Sequence, residues 1–370
     1  MKRILGAALC AALVLSGAVQ LVAAPFSAGN LAVLRTDETD NNSPASIVEL
    51  APGVANQVPT NVIAIPGAGA TGLRFSGSAT STGYLSHTND RSLLTFNGAN
   101  AADTSANANT LNPRAVGTLD GNGTYALQTT YTGTSGNQTR SSSSLNNTTW
   151  FIGDQGGFYS NGTVAASPSG NIRSVKAFGG SVYSFAASAT APPVSTISAP
   201  VAGTVTALPG LPNGTSAMQD FYMIQSGSSG ATYDVLYVLS TTNATTGLVE
   251  KYSLVGGSWT ANGSYATSFG GFGLAAQPLL RVTGANLYVT SGTGATIAGT
   301  VVQLNDTAGF NSAINIVTAN NISLYTAPTG TILKGVDFVP TAVPEPATLA
   351  TAGTLLAAFG LSPRRRRIVI

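Results

Sequence analysis

Short β-type runs closed by Gly or Asn clusters recur from Phe26 to Phe338, and no stretch in that span repeats apolar residues at helical spacing. The runs include 31–34, 46–50, 72–75, 92–96, 124–128 and 150–152. They continue with 181–185, 234–239, 249–254, 286–290, 300–304 and 332–338. β-Branched and aromatic residues at such spacing suit a pleated, half-buried surface. The chain is therefore expected to be all-β.

Turn chemistry narrows the choice. Asn-Gly pairs stand at Asn97-Gly98, Asn122-Gly123, Asn161-Gly162, Asn213-Gly214 and Asn262-Gly263. They suit the φ > 0 positions of tight hairpins. A weak internal repeat joins a strand, a glycine turn and a Tyr-bearing strand. Its copies start at Ile172 and Leu280, with a third at Pro113 through Tyr125. Repeated strand–turn–strand units are what a β-propeller needs, because each blade buries its faces against its neighbours. At roughly 40–50 residues per blade, residues 25–340 accommodate six or seven. A β-sandwich is the alternative.

Charge excludes one class of partner. Of 16 Lys+Arg and 14 Asp+Glu, Lys2, Arg3 and Arg364–Arg367 take six cations and Glu345 one anion. The body keeps ten cations and thirteen anions, so it offers no basic footprint for nucleic acid. Its lone cysteine, Cys10, falls in the N-terminal apolar run. The body can thus form neither a disulfide nor a thiolate metal site. With only 8% charged residues, its surface must be solvated by Ser, Thr, Asn and Gly.

The two ends read differently from the body. Met1-Lys2-Arg3 followed by the apolar Ile4–Val22 reads as a secretory signal peptide over residues 1–24. The other end runs Val343-Pro344-Glu345-Pro346, then an uncharged stretch from Ala347 to Leu361, then Arg364-Arg365-Arg366-Arg367. The paired prolines forbid regular structure and leave an extended handle. The apolar stretch would be roughly 22 Å long as a helix at ~1.5 Å per residue. It spans a core of about 30 Å only with thinning or snorkelling. The arginines favour the cytoplasmic side.

This order over residues 343–367 resembles the PEP-CTERM sorting signal of Gram-negative bacteria. The resemblance implies an exosortase-type transpeptidase as partner, with Val343, Pro344, Glu345 and Pro346 as sorting motif and Arg364, Arg365, Arg366 and Arg367 as cytoplasmic stop. It also implies a transient inner-membrane stage and a destination at the cell surface or in the extracellular matrix. A helical segment is then expected at each end of the chain. Within the body, Gly247–Trp259, Ser76–Leu85 and the closing Leu333–Pro340 resemble segments of secreted propeller-like PEP-CTERM proteins. That second resemblance implies a fold and no chemistry.

The residues that could carry chemistry are few. His87 is the only histidine. It reads as a solvated turn residue in Ser86-His87-Thr88-Asn89-Asp90, and its being alone excludes a histidine zinc site. Asp154, Asp220, Asp234, Glu250, Asp306 and Asp337 are scattered singly, whereas glycosidase chemistry needs a close pair. The run Asp37 to Asn42 has oxygen ligands but lacks calcium-loop spacing. Gly153–Gly157 and Gly292–Gly294 read as turns rather than phosphate loops. Trp150 and Trp259 lie in strand patterns and are expected between blades. No cofactor or metal is expected. The function that follows is a non-catalytic structural or binding propeller, with an exopolysaccharide as candidate partner. The alternative is an extracellular hydrolase or lyase, which should gather its acids or His87 at one central mouth.

Overall fold

The computed structural model describes residues 24–279, 283–292 and 299–341. The expected signal peptide up to residue 23, the sorting segment and the helical segments at the two ends fall outside them. So does part of the repeat copy starting at Leu280. Among the described residues no helix is long and apolar enough to cross a membrane.

Among the described residues twenty-three strands form six antiparallel sheets arranged as a ring, a six-bladed β-propeller. The first sheet holds β1 (Leu31–Asp37), β2 (Ala45–Leu50) and β3 (Asn61–Ile65). Blade 2 runs outward through β4 (Ser86–His87), β5 (Leu93–Ala99), β6 (Arg114–Asp120) and β7 (Tyr125–Tyr131). Blade 3 has three strands, β8 (Thr139–Ser144), β9 (Trp150–Asp154) and β10 (Gly157–Tyr159). Blade 4 comprises β11 (Ile172–Phe178), β12 (Ser181–Ala186), β13 (Val194–Ile197) and β14 (Val205–Ala207). Blade 5 comprises β15 (Met218–Ile224), β16 (Val235–Asn243), β17 (Thr246–Val255) and β18 (Ser258–Thr267). Blade 6 comprises β19 (Gly271–Pro278), β20 (Ala285–Ser291), β21 (Thr300–Asp306) and β22 (Ile322–Thr326). Finally β23 (Thr331–Phe338) pairs antiparallel with β1 and becomes the inner strand of blade 1. Both ends of the body thus build one blade, and the ring is closed by a full strand ladder.

Gly-Gly pairs make the tightest hairpins. Gly179-Gly180 (φ 58° and 81°) joins β11 to β12, and Gly256-Gly257 (φ 58° and 85°) joins β17 to β18. Both residues of each pair have φ > 0, as a two-residue turn matched to strand twist requires. The Asn-Gly pairs divide. Asn122-Gly123 and Asn161-Gly162 are turns. Asn97-Gly98 instead lies inside β5, and Asn213-Gly214 lies in coil without positive φ. Asn262-Gly263 is a bulge in β18, where Glu250 and Tyr252 pair with Ser264 and Ala261.

Two further expectations are corrected. Residues 72–75 form only isolated bridges, from Arg74 to Ala99 and Phe75 to Ser43. The third repeat copy is β6–β7, the outer half of blade 2, whereas Ile172–Tyr183 is the inner half of blade 4. Those strand pairs differ in turn length, four residues against two, as well as in position in a blade.

The core lies between the blades. Its largest cluster joins blades 4, 5, 6 and 1 through Phe185, Phe221, Leu236, Leu274, Leu287 and Val336. Trp150 packs with Val116, Tyr131, Ile152 and Tyr159 between blades 2 and 3. Trp259 is also buried, so both tryptophans lie inside as expected.

Candidate functional site at the central axis

The six inner strands converge on the axis, and their side chains meet there. At the starting end of these strands Tyr84 stacks on Phe272 with ring centroids 4.5 Å apart. The Tyr84 hydroxyl donates to Gln219 at 3.3 Å, and Arg173 donates to the same oxygen at 3.1 Å. Lys334 donates to the carbonyls of Gly77 and Ala79 at 2.7 and 2.8 Å. Burial pushes its ammonium down to about 7.

Nearer the opposite end sits a layer of ionisable groups. His87 Nδ1 lies 3.2 Å from Asp337 Oδ1. The Tyr222 hydroxyl and the Phe338 amide donate to that same oxygen at 3.0 and 2.8 Å. Burial pushes the Asp337 carboxyl up, but His87, with help from Lys176 and Arg91, outweighs it and holds the group at about 2. Beside it Lys176 lies 3.2 Å from Asp220. Asp220 also accepts from Ser174 Oγ at 2.8 Å and from the amides of Leu274 and Phe221. Burial raises its carboxyl, opposed by Lys176.

His87 is therefore no solvated turn residue. It is 6% exposed, in a two-residue inner strand. Asp220 and Asp337 are not scattered either: the ring brings both to the axis, flanking Lys176. Asp154 and Asp306 stay out in the blades. Arg114 binds Asp154 at 2.6 Å and Lys251 binds Asp306 at 2.9 Å. Tyr131 and Tyr237 donate to these two carboxylates. Asp234 is fixed by Ser226. Glu250, half-buried, accepts from Tyr252.

Among the described residues, the four contacts between a basic and an acidic side chain all join neighbouring blades: 1 to 2, 2 to 3, 4 to 5 and 5 to 6. Each carboxylate also takes a hydroxyl. The acids thus act as latches between blades. A buried carboxylate stripped of its partner costs about 3–5 kcal/mol.

Above this layer the axis opens into a cup of about 290 Å³. It is formed by the ends of β15, β19 and β23, the β4–β5 loop and Thr341. Arg91, Tyr222, Tyr233, Gln225 and Gln277 line it. The β4–β5 loop is firmly held. Asp90 accepts from Thr88 Oγ1 and the Ser92 amide, Asn89 bonds Ser144 and Gly180, and Thr341 bonds the Arg91 carbonyl. These bonds keep Arg91 at φ 60°, a conformation uncommon outside glycine. Its guanidinium sits 5.6 Å over the Phe338 ring. Tyr222 and Asp337 favour its charged form against the cost of burial.

Sequence reading did not find this cup. Arg91 sits in a polar loop, and Tyr222 lies in a strand whose continuous apolar run carried no alternation. Only the adjacency of Arg91 to His87 hinted at either.

The run Asp37–Asn42 is organised by local bonds, with Asp37 accepting from the amides of Thr39 and Asp40, and Asp40 from that of Asn42. Among the described residues no group of three or more His, Cys, Asp or Glu side chains could hold a metal. Gly153–Gly157 spans the end of β9, its turn and the start of β10, while 293–294 fall outside the described residues. The residues expected to sort the chain, Val343, Pro344, Glu345 and Pro346, and the expected stop, Arg364, Arg365, Arg366 and Arg367, also fall outside them.

No family model matches this sequence, and no curated protein does. In three dimensions it is similar to a chain of the crystal structure of a nidogen/laminin complex. The two share 11% identity and a TM-score of 0.46, over 85% of this chain and 100% of that one. So distant a likeness carries no argument about this protein.

Proposed function

We propose that this protein is an exported, non-catalytic β-propeller of the cell surface or extracellular matrix, binding a polymer through its loop faces. A PEP-CTERM-type tail would sort it, with an exosortase-type transpeptidase cutting near Pro344-Glu345-Pro346. One observation carries the binding reading. The axial ionisable groups are buried and bonded between blades, while no lysine or arginine among the described residues is exposed. The polar residues that face water are chiefly Ser, Thr and Asn, whose hydroxyls and amides suit hydrated polymers.

A hydrolase or lyase has one observation in its favour. His87 bonds Asp337 through Nδ1 and leaves Nε2 without a partner, the polarity of a general base. However, the cavity that His87 lines is only about 10 Å³, the space of one water at most. A polymer cannot reach it.

A glycan array run beside a polymer-hydrolysis screen tests this reading. Binding without turnover is expected. Turnover lost in His87→Gln, with the fold intact, would establish the enzyme instead. Mass spectrometry of the surface protein tests the sorting: an intact Arg367-Ile368-Val369-Ile370 terminus would overturn it.

A further inference from the structure

The axial cup has a neighbour. A second cleft of about 410 Å³ lies between blades 4 and 5, lined by Tyr183, Leu208, Thr232, Tyr233 and Trp259 among others. Tyr233 borders both openings. Together they fall within the size range of small-ligand sites, about 300–1,000 Å³. Their common wall is aromatic. Phe178 stands at its centre, with ring centroids 5.2 Å from Tyr233, 5.3 Å from Tyr222 and 6.1 Å from Tyr183. Phe178 is buried, whereas Tyr183 and Tyr233 keep part of their surface in solvent.

The two ends of this groove differ. The cleft between blades 4 and 5 has no charged lining residue. The cup has one, Arg91, and Gln225 and Gln277 line it too. Its acidic neighbour Asp90 is turned away, accepting from Asn147 of blade 3 as well as from Thr88 and Ser92. Asp337 lies beneath, its Oδ1 taken by His87, Tyr222 and Phe338. Exposed aromatic faces take the apolar face of a sugar ring, amides take its hydroxyls, and a fixed guanidinium takes a carboxylate.

We propose that cup and cleft form one carbohydrate-binding groove for an acidic polysaccharide. Arg91 would take a uronate carboxylate, and Tyr233 and Tyr183 the adjoining rings. This deepens the polymer-binding reading and rests on it. No bond is made or broken.

Calorimetric titration of the full-length protein with three probes tests the groove: tetragalacturonate, its methyl ester, and the neutral cellotetraose. The acid should bind roughly tenfold tighter than either neutral probe, as a charge-assisted hydrogen bond allows, and should weaken with salt. Arg91→Gln should abolish that preference while the near-ultraviolet circular dichroism stays that of the native fold. Tyr233→Leu keeps packing against Phe178 but loses the flat face, and should weaken all three probes. Equal binding of the three, or an acid preference that survives Arg91→Gln, would overturn the groove while leaving polymer binding intact. No binding to any glycan, on these probes or the array, would overturn both.

Discussion

His87 shows how one residue is judged by its surroundings. Its imidazole holds the Asp337 carboxyl at about 2, below the ordinary 3.8. A carboxyl depressed on folding contributes stability above its unfolded pKa and loses it as pH falls through the folded one. Here that contribution, on the order of 2 kcal/mol by linkage, is present above pH 4 and is lost toward pH 2. His87→Gln keeps much of the volume but removes the ionisable imidazole. Its acid-unfolding midpoint, followed by near-ultraviolet circular dichroism, should move to higher pH. An unchanged midpoint would mean that Tyr222 and the Phe338 amide suffice. His87→Ala should cost about 3–5 kcal/mol at neutral pH, so it cannot report on activity alone.

At the scale of the element, the inner strands explain what the sequence hid. β8 reads Thr-Arg-Ser-Ser-Ser-Ser, the composition of a loop, yet all six residues are buried. Strands that converge on an axis have little room for large side chains. The Ser141 hydroxyl accepts from the Val175 amide of blade 4, and the Ser143 hydroxyl donates to the His87 carbonyl of blade 2. Small hydroxyls thus replace apolar packing. Gly335 is the tightest glycine on an inner strand. A Cβ there would lie 2.3 Å from the Leu85 amide nitrogen and 2.8 Å from the Gly83 oxygen. Gly335→Ala should therefore push β23 off β4 and cost about 2 kcal/mol or more, read by urea denaturation. At Gly180 a Cβ meets nothing within 4 Å and only the φ of 81° resists it. Gly180→Ala should cost about 1 kcal/mol.

At the scale of the molecule, stability depends on closure. β23 pairs with β1 along its length and also packs against blade 6, whose Thr290 hydroxyl donates to the Lys334 carbonyl at 2.7 Å. It supplies Asp337 to blade 2 as well. A chain ending at residue 330 should lose the cooperative thermal transition rather than show a small shift in Tm. A sharp transition retained in that truncation would mean that the blades are stable without the ring. The all-β class, most strands in the middle of the blades and some of the tight turns were legible in the sequence, because local alternation and glycine at φ > 0 act over a few residues. Blade number, the four latches and the cup were decided only by the tertiary structure. Their residues lie far apart in the chain, 250 positions from His87 to Asp337, and whether a histidine is solvated or latched depends on what the closing strand brings beside it.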